Sequence, residues 1–163
     1  MRIGEAFVGS GAEAAHINTV LGERDGPVGV AWATALATPT IGHARFLTVL
    51  QPGLPLQPPT LFVNKAPIQD HRHGTLTWGA AQAGVADGVV AALEDGTLIA
   101  ATVVNLLLIV AVWVDPAAAD EDAVHANNRD ATVAALAAGQ QGRPSVDDLL
   151  AAGSAWNPSF RAP

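Results

Sequence analysis

The longest uncharged run of the chain limits its possible folds more than any other part of the sequence. It covers residues 97–114, TLIAATVVNLLLIVAVWV, and at about 18 residues it is only marginally long enough to cross a membrane. It is the only such run, it is rich in Val and Ile, it contains Asn105, and no Lys or Arg flanks it. These features favour a long strand that is buried on both faces, rather than a membrane span.

The overall composition is that of a chain with a large core. Half of the 163 residues are hydrophobic, only 14% are charged, and the mean hydropathy is +0.29. So few charges cannot cover the whole outside, which predicts that some apolar surface lies in a subunit interface. The length predicts a single domain over residues 1–163, with residues 154–163 as a C-terminal tail.

The charge balance and the absence of cysteine exclude several classes of function. A net charge of −7 without any basic run argues against a nucleic-acid partner. Disulfides, thiolate metal sites and cysteine nucleophiles are excluded, because the chain contains no cysteine. The N-terminal stretch MRIGEAFVGS lacks the long apolar run of a signal peptide, so we expect a cytoplasmic protein without a membrane partner.

The pattern along the chain mixes strands and helices and predicts one layered α+β or α/β domain. Besides residues 97–114, strands are expected at residues 4–9, 14–22, 43–53 and 60–68, where Pro67 would mark an edge or a bulge. Helices are expected at residues 26–38 and 77–93, from an Asp115 cap to Gly139, and at residues 145–153.

Three glycines in the helix predicted at residues 77–93 indicate close packing. Gly79, Gly84 and Gly88 each weaken a helix by nearly 1 kcal/mol relative to Ala. We therefore expect all three to allow a neighbouring element to approach this helix.

Two short motifs suggest sites but have simpler explanations. Gly9-x-Gly11-x-x-Ala14 loosely matches a dinucleotide loop, yet the next segment looks extended, so a turn between strands is favoured. In the DHRH stretch, His71 and His73 would face one way on an extended chain and could bind a metal.

A third ligand of comparable quality for His71 and His73 is missing unless His43 or His125 folds over them, so a polar loop is favoured. No Ser-His-Asp arrangement can be proposed either, because the serines lack a nucleophile-elbow context. We therefore predict no metal site and no serine nucleophile.

A histidine and the chain's single lysine stand out on otherwise apolar strands. On a strand over residues 14–20, His16 and Asn18 share one face, about 6–7 Å apart. In LFVNKAPI the same alternation places Lys65 and Pro67 on one face, and Lys65 is the only lysine beside seven arginines. Taken alone, each residue is more often structural, as a hydrogen-bonded core histidine or a surface lysine.

These same stretches resemble the formaldehyde-activating enzyme family. The similarity runs in the family's order through IGEAFVG, AEAAHIN, FLTVL, LPLQPPTLFVNK and GAAQAGVA, then more loosely through the apolar strand and the last long helix. It thus covers nearly the whole chain. It implies a carbon–oxygen lyase of one-carbon metabolism that condenses formaldehyde with tetrahydromethanopterin or a similar reduced pterin, which is a co-substrate. No metal or covalently bound cofactor is implied.

The resemblance also implies a fold, an assembly and site residues. The family's α+β fold has β-α-β units also seen in a domain of a small-subunit ribosomal protein, and its homopentamer binds the pterin between neighbouring subunits. The family's catalytic histidine falls on His16, expected to be the general acid. Its pterin-contacting leucine, lysine and glutamine fall on Leu47, Lys65 and Gln82.

Three positions depart from the family's pattern. Asn18 stands where the family usually has a carboxylate, Pro67 where it has a threonine, and Ala83 where a histidine follows the glutamine. We expect Asn18 and Pro67 to line the same substrate site in altered form. The departures leave two alternatives open: a non-catalytic pentamer that binds a pterin or an aldehyde, and a paralogue that acts on a different carrier.

Overall fold

Seven strands and five α-helices form the part of the chain that this computed structural model describes, residues 1–157. The strands are β1 (Arg2–Val8), β2 (Ala15–Glu23), β3 (Arg45–Leu47), β4 (Val49–Gln51), β5 (Leu54–Pro55), β6 (Thr60–Asn64) and β7 (Leu106–Trp113). The helices are α1 (Pro27–Ala37), α2 (His71–Thr75), α3 (Gln82–Glu94), α4 (Glu121–Gln141) and α5 (Val146–Ala151). A π-helical segment, Leu76–Ala81, joins α2 to α3.

Five of the strands form a mixed sheet in the order β1-β2-β7-β6-β3. All neighbours are antiparallel except β6 and β7, which run parallel because α2 and α3 cross over between them. This crossover is a β-α-β unit, and the α+β class predicted from the sequence is confirmed. Strands β4 and β5 form a separate antiparallel pair.

The two faces of the sheet have different environments. One face, which carries Ile17, Phe62 and Val110, is buried under α3 and α4 in the hydrophobic core. On the other face, α1 lies over one end, where Val28 contacts Gly22 of β2. The rest of that face is only partly covered, and we call it the open face. Side chains two residues apart share a face, so His16 and Asn18 project from the open one.

The uncharged run at residues 97–114 forms a strand over only part of its length. Residues 106–113 are β7, whereas the preceding residues form turns that include a 3₁₀ helix, Val103–Asn105. The prediction of burial on both faces was wrong, because Leu108, Val110 and Val112 are buried while Ile109 and Ala111 on the open face are partly exposed. No helix within residues 1–157 is long and apolar enough to cross a bilayer.

Three other predicted boundaries were wrong. The strand expected at residues 43–53 is broken at Thr48 into β3 and β4. The long helix begins after Asp120, whose carboxylate accepts a hydrogen bond from the Ala123 N–H at 3.0 Å; Asp115 instead closes a turn. Strand β6 ends at Asn64 and lies inside the sheet, so Pro67 marks neither an edge nor a bulge of it.

Several local predictions are confirmed. Helix α1 begins with Pro27, and α5 has a capping box at Ser145. Gly84 and Gly88 do allow α4 to approach, since a Cβ at Gly84 would lie 2.3 Å from the carbonyl oxygen of His125. Gly79 does not, because nothing lies within 4 Å of its added Cβ. Of the predicted tail at residues 154–163, residues 158–163 lie outside the described part.

Candidate active site

Three ionisable side chains meet on the open face of the sheet: Glu5 from β1, His16 from β2, and Lys65 directly after β6. The Lys65 N–H still donates to the carbonyl oxygen of Val112 at 2.7 Å, so the residue keeps the alternation of its strand. The Lys65 side chain then reaches over β7, and its Nζ donates to the His16 carbonyl oxygen at 3.1 Å. The topology therefore unites the two residues singled out by the sequence.

The His16 imidazole contacts residues of β1 on its exposed side. Its Nε2 lies 2.9 Å from Oε1 of Glu5, and its ring centroid lies 6.1 Å from that of Phe7. Phe7 is the direct cross-strand neighbour of His16, whereas Glu5 lies opposite Asn18 and reaches His16 diagonally. With 38% of its side chain exposed, His16 is open to a small molecule.

Burial lowers the pKa of His16 below its usual value of 6.5, and the positive charge of Lys65 lowers it further. The charge and the hydrogen bond of Glu5 oppose both effects by favouring the imidazolium. Burial also lowers the pKa of Lys65 to about 8, again against the influence of Glu5. An imidazole with these neighbours can donate and accept a proton close to neutral pH.

Two more of the expected site residues share the open face. Asn18 lies two residues beyond His16 on β2 and is half-buried. Leu47 ends β3, where it pairs with Leu61 of β6, and 37% of its surface is exposed. The open face thus carries His16, Asn18 and Lys65 close together, whereas Leu47 lies three strands from His16 and level with Val20 of β2.

The remaining two expected site residues lie apart from this group. Gln82 begins α3 in the helix layer, and its side-chain oxygen accepts a hydrogen bond from the Val49 N–H at 3.3 Å. Pro67 is exposed beyond the end of β6, where it lies close to Gly42. Within one copy of the chain, neither is in contact with His16.

Glu5 is the site residue that sequence reasoning missed. It lies in the stretch IGEAFVG, where no motif assigns it a role. The available signal was the alternation of β1, which places Glu5 and Phe7 on the exposed face of the strand. Which residue of β2 they would meet depends on the register of the β1–β2 pair.

The DHRH stretch has a structural role. The expectation of a polar loop was wrong: Asp70 caps the helix α2, so His71 and His73 do not face one way as they would on an extended chain. The buried His73 accepts a hydrogen bond from the Gln69 N–H at Nδ1, and its Nε2 donates to the Val114 carbonyl oxygen. Within residues 1–157, no group of three or more His, Asp or Glu residues could hold a metal ion.

Comparison with known sequences assigns the chain to a family. Residues 3–160 match the sequence profile described as formaldehyde-activating enzyme (Fae). The chain belongs to the Fae family. Among Fae relatives, the 5,6,7,8-tetrahydromethanopterin hydro-lyase of Methanosarcina barkeri is 40% identical over 158 residues, which are 97% of this chain and 89% of that protein.

Some Fae relatives are larger proteins. The bifunctional enzymes Fae/Hps of Methanosphaera stadtmanae and Methanothrix thermoacetophila are 38% and 36% identical over 91% of this chain. The chain spans only 37% and 38% of their respective lengths. It therefore corresponds to the Fae portion that these proteins share with the hydro-lyase.

Proposed function

We propose that this Fae-family protein condenses formaldehyde with tetrahydromethanopterin, or a similar reduced pterin, to the methylene-pterin and water. Its similarity over 97% of the chain to a protein named tetrahydromethanopterin hydro-lyase supports the hydro-lyase reaction. The observation that carries the proposal is the partly exposed His16, which has a carboxylate on one side and an ammonium on the other.

In this reaction His16 acts as the general acid. A pterin amine adds to formaldehyde and gives a carbinolamine, whose hydroxyl is a poor leaving group. The His16 imidazolium gives its proton to that oxygen as the C–O bond breaks, water departs, and an iminium remains. The second pterin amine attacks the iminium carbon, and the proton that it loses returns to the imidazole. A positioned acid of this kind typically accelerates such a step about 100- to 10,000-fold.

We assign the contacts with the pterin to residues of the open face. Leu47 offers an apolar contact from β3, and the Lys65 ammonium holds a polar or anionic part of the carrier. Asn18 takes the place of the family's carboxylate. Because formaldehyde reacts with amines spontaneously, the task of the protein is orientation and one proton transfer.

We infer that the complete site forms between subunits of a homopentamer. Gln82 lies in the helix layer and Pro67 lies beyond the end of β6, so a pterin bound between two copies could meet both residues as well as His16. The region at residues 26–42, which includes α1, contains no charge, and it exposes 70% of Val30 and all of Ile41. Such a surface fits an interface between copies. A cytoplasmic location stays a prediction.

The decisive experiment measures the formation of methylene-tetrahydromethanopterin above the spontaneous rate. Wild-type protein should accelerate it, and His16→Ala should remove most of the acceleration, by about 100-fold or more. His71→Ala, which changes an exposed histidine on α2, is the matched control and should keep full activity. Equal acceleration by the wild type and His16→Ala would refute the role of His16.

Two other functions are supported by the departures at Asn18, Pro67 and Ala83. One is a protein that binds a pterin or an aldehyde without catalysis, and the other is a paralogue that acts on another carrier. Calorimetric titration with reduced pterins and folates distinguishes these possibilities. Tight binding without acceleration would indicate a binding protein, and turnover of a folate alone would indicate another carrier. Light scattering tests the assembly, since a monomer at working concentration would rule out a site between subunits.

A further inference from the structure

The Glu5 carboxylate belongs to the open face but has no part in the proposed proton transfer. We propose that Glu5 is the positioning residue of His16, which holds the imidazole through Nε2 so that Nδ1 hands the proton to the leaving hydroxyl. This inference rests on the proposed function and assigns the two ring nitrogens different tasks.

The strand register fixes this contact. On the open face, Phe7 lies directly opposite His16 and Glu5 lies opposite Asn18, so the Glu5 side chain runs diagonally across the pair. Its Oε1 meets the imidazole Nε2 at 2.9 Å. A diagonal neighbour on a sheet face is within reach of a long side chain.

The backbone that carries Glu5 is held firmly from the opposite face. A Cβ added to Gly4 would lie 1.8 Å from the Ala135 carbonyl oxygen of α4, so β1 and α4 are packed backbone to backbone there. Ala6, on the other side of Glu5, is buried in the core. A carboxylate on so constrained a strand can hold a partner in one orientation.

The contact leaves one ring nitrogen available. Nδ1 of His16 makes no hydrogen bond to any residue between positions 1 and 157, whereas Nε2 is occupied by Glu5. In the imidazolium both nitrogens carry a hydrogen. The one on Nε2 is kept by the carboxylate, and the one on Nδ1 is free to move to a substrate oxygen.

Within residues 1–157, Glu5 is the single anion that favours the charged imidazole. From β1 it faces His16 as a carboxylate, and from beyond β6 Lys65 faces it as an ammonium. Strand β7 places the uncharged Trp113 opposite, and on β2 itself the next residue of the same face is the neutral Asn18. Burial and Lys65 lower the pKa of His16, and Glu5 alone raises it.

Glu5→Gln tests the inference, because it keeps the length and an acceptor oxygen but removes the charge. Glu23→Gln at the far end of β2 makes the same change of charge on an exposed side chain and is the matched control. Two measurements are needed on each protein: the titration of the His16 ring by NMR, and kcat and KM for methylene-pterin formation as a function of pH.

For Glu5→Gln we expect the pKa of His16 to fall, since an attractive charge is lost. We expect kcat near pH 7 to fall about 3- to 10-fold, because less of His16 is then imidazolium, with little change in KM. Glu23→Gln should match the wild type. Glu5→Asp keeps the charge on a shorter side chain, so the pKa of His16 should stay close to that of the wild type. This variant provides the test if Glu5→Gln does not fold.

An active Glu5→Gln protein whose His16 pKa and kcat equal those of Glu23→Gln would overturn the inference, as would a lowered pKa with unchanged kcat. Failure of the proposed function looks different. In that case the wild type would not accelerate the condensation at any pH, and the catalytic role of Glu5 would fall with it.

Discussion

Replacing Gly84 with alanine tests the contact between the two core helices. In α3, a Cβ at Gly84 would meet the carbonyl oxygen of His125 at 2.3 Å and the Arg129 nitrogen at 3.0 Å, both backbone atoms of α4. Ordinary contact begins near 3.4 Å, so α3 and α4 must separate locally by about 1.1 Å. Because backbone atoms cannot rotate away as a side chain can, the strain must spread through both helices.

The expected cost follows from two opposing effects. Overpacking of a filled core costs about 1–3 kcal/mol, and a clash with backbone belongs at the upper end. Alanine recovers about 1 kcal/mol because it favours the helix over glycine. The net loss in the free energy of unfolding is about 2 kcal/mol, which lowers Tm by about 4–8 °C in a chain of this size.

The assay is thermal unfolding by circular dichroism at one fixed protein concentration, since self-association would shift Tm. Gly79→Ala is the matched control, because the added methyl group has nothing within 4 Å and only the gain in helix preference remains. Its Tm should rise by about 2–4 °C. If Gly84→Ala were as stable as Gly79→Ala, the reasoning from the close approach of α3 and α4 would be refuted.

Two further predictions concern the charges around His16. Lys65→Met removes the ammonium that lowers the pKa of His16, so this pKa should rise. The decline of kcat with increasing pH should then move to higher pH. An unchanged NMR titration of His16 would contradict this prediction. Asn18→Asp restores the family's carboxylate and should also raise the pKa of His16, but it places two carboxylates opposite each other on β1 and β2. It should therefore cost up to about 1 kcal/mol in the free energy of unfolding, measured in urea, and a stabilised variant would contradict the register.

Helices that are marked by residues at their own ends could be predicted from the sequence. Proline at the first position of α1 and the capping box of α5 act within a few residues, so their structures follow from nearby side chains. Where two similar signals compete, local reasoning failed. Asp115 and Asp120 both resemble a helix cap, but Asp115 closes a turn and Asp120 caps α4.

The hydropathy of residues 97–114 could not reveal where β7 begins. Residues 97–105 are as free of charge as the strand itself, yet they turn, and Leu98 and Val103 are buried there without strand pairing. Burial alone therefore explains their apolar character. Hydropathy measures contact with water and does not distinguish a buried strand from a buried turn.

Most residues of the candidate site could be predicted from the sequence, but Glu5 and the geometry of the site could not. The motif similarity pointed to His16 and Lys65, and the alternation of β2 placed Asn18 beside His16. The contact between Lys65 and the His16 carbonyl requires β7 to lie between β2 and β6, which is a property of the topology. The Glu5–His16 contact requires the register of β1 on β2.

The central position of β7 has a consequence for how the chain folds. Both neighbours of β7 precede it in the sequence. One edge of β2 therefore stays unpaired until β7, which ends at Trp113, has been synthesised. Pairing over such sequence distances slows folding, and an unpaired apolar edge invites association with other chains. Glu5 and His16 can pair early as part of a hairpin, whereas Lys65 can join them only after β7 is in place. In a refolding experiment, activity should therefore appear with the closure of the whole sheet.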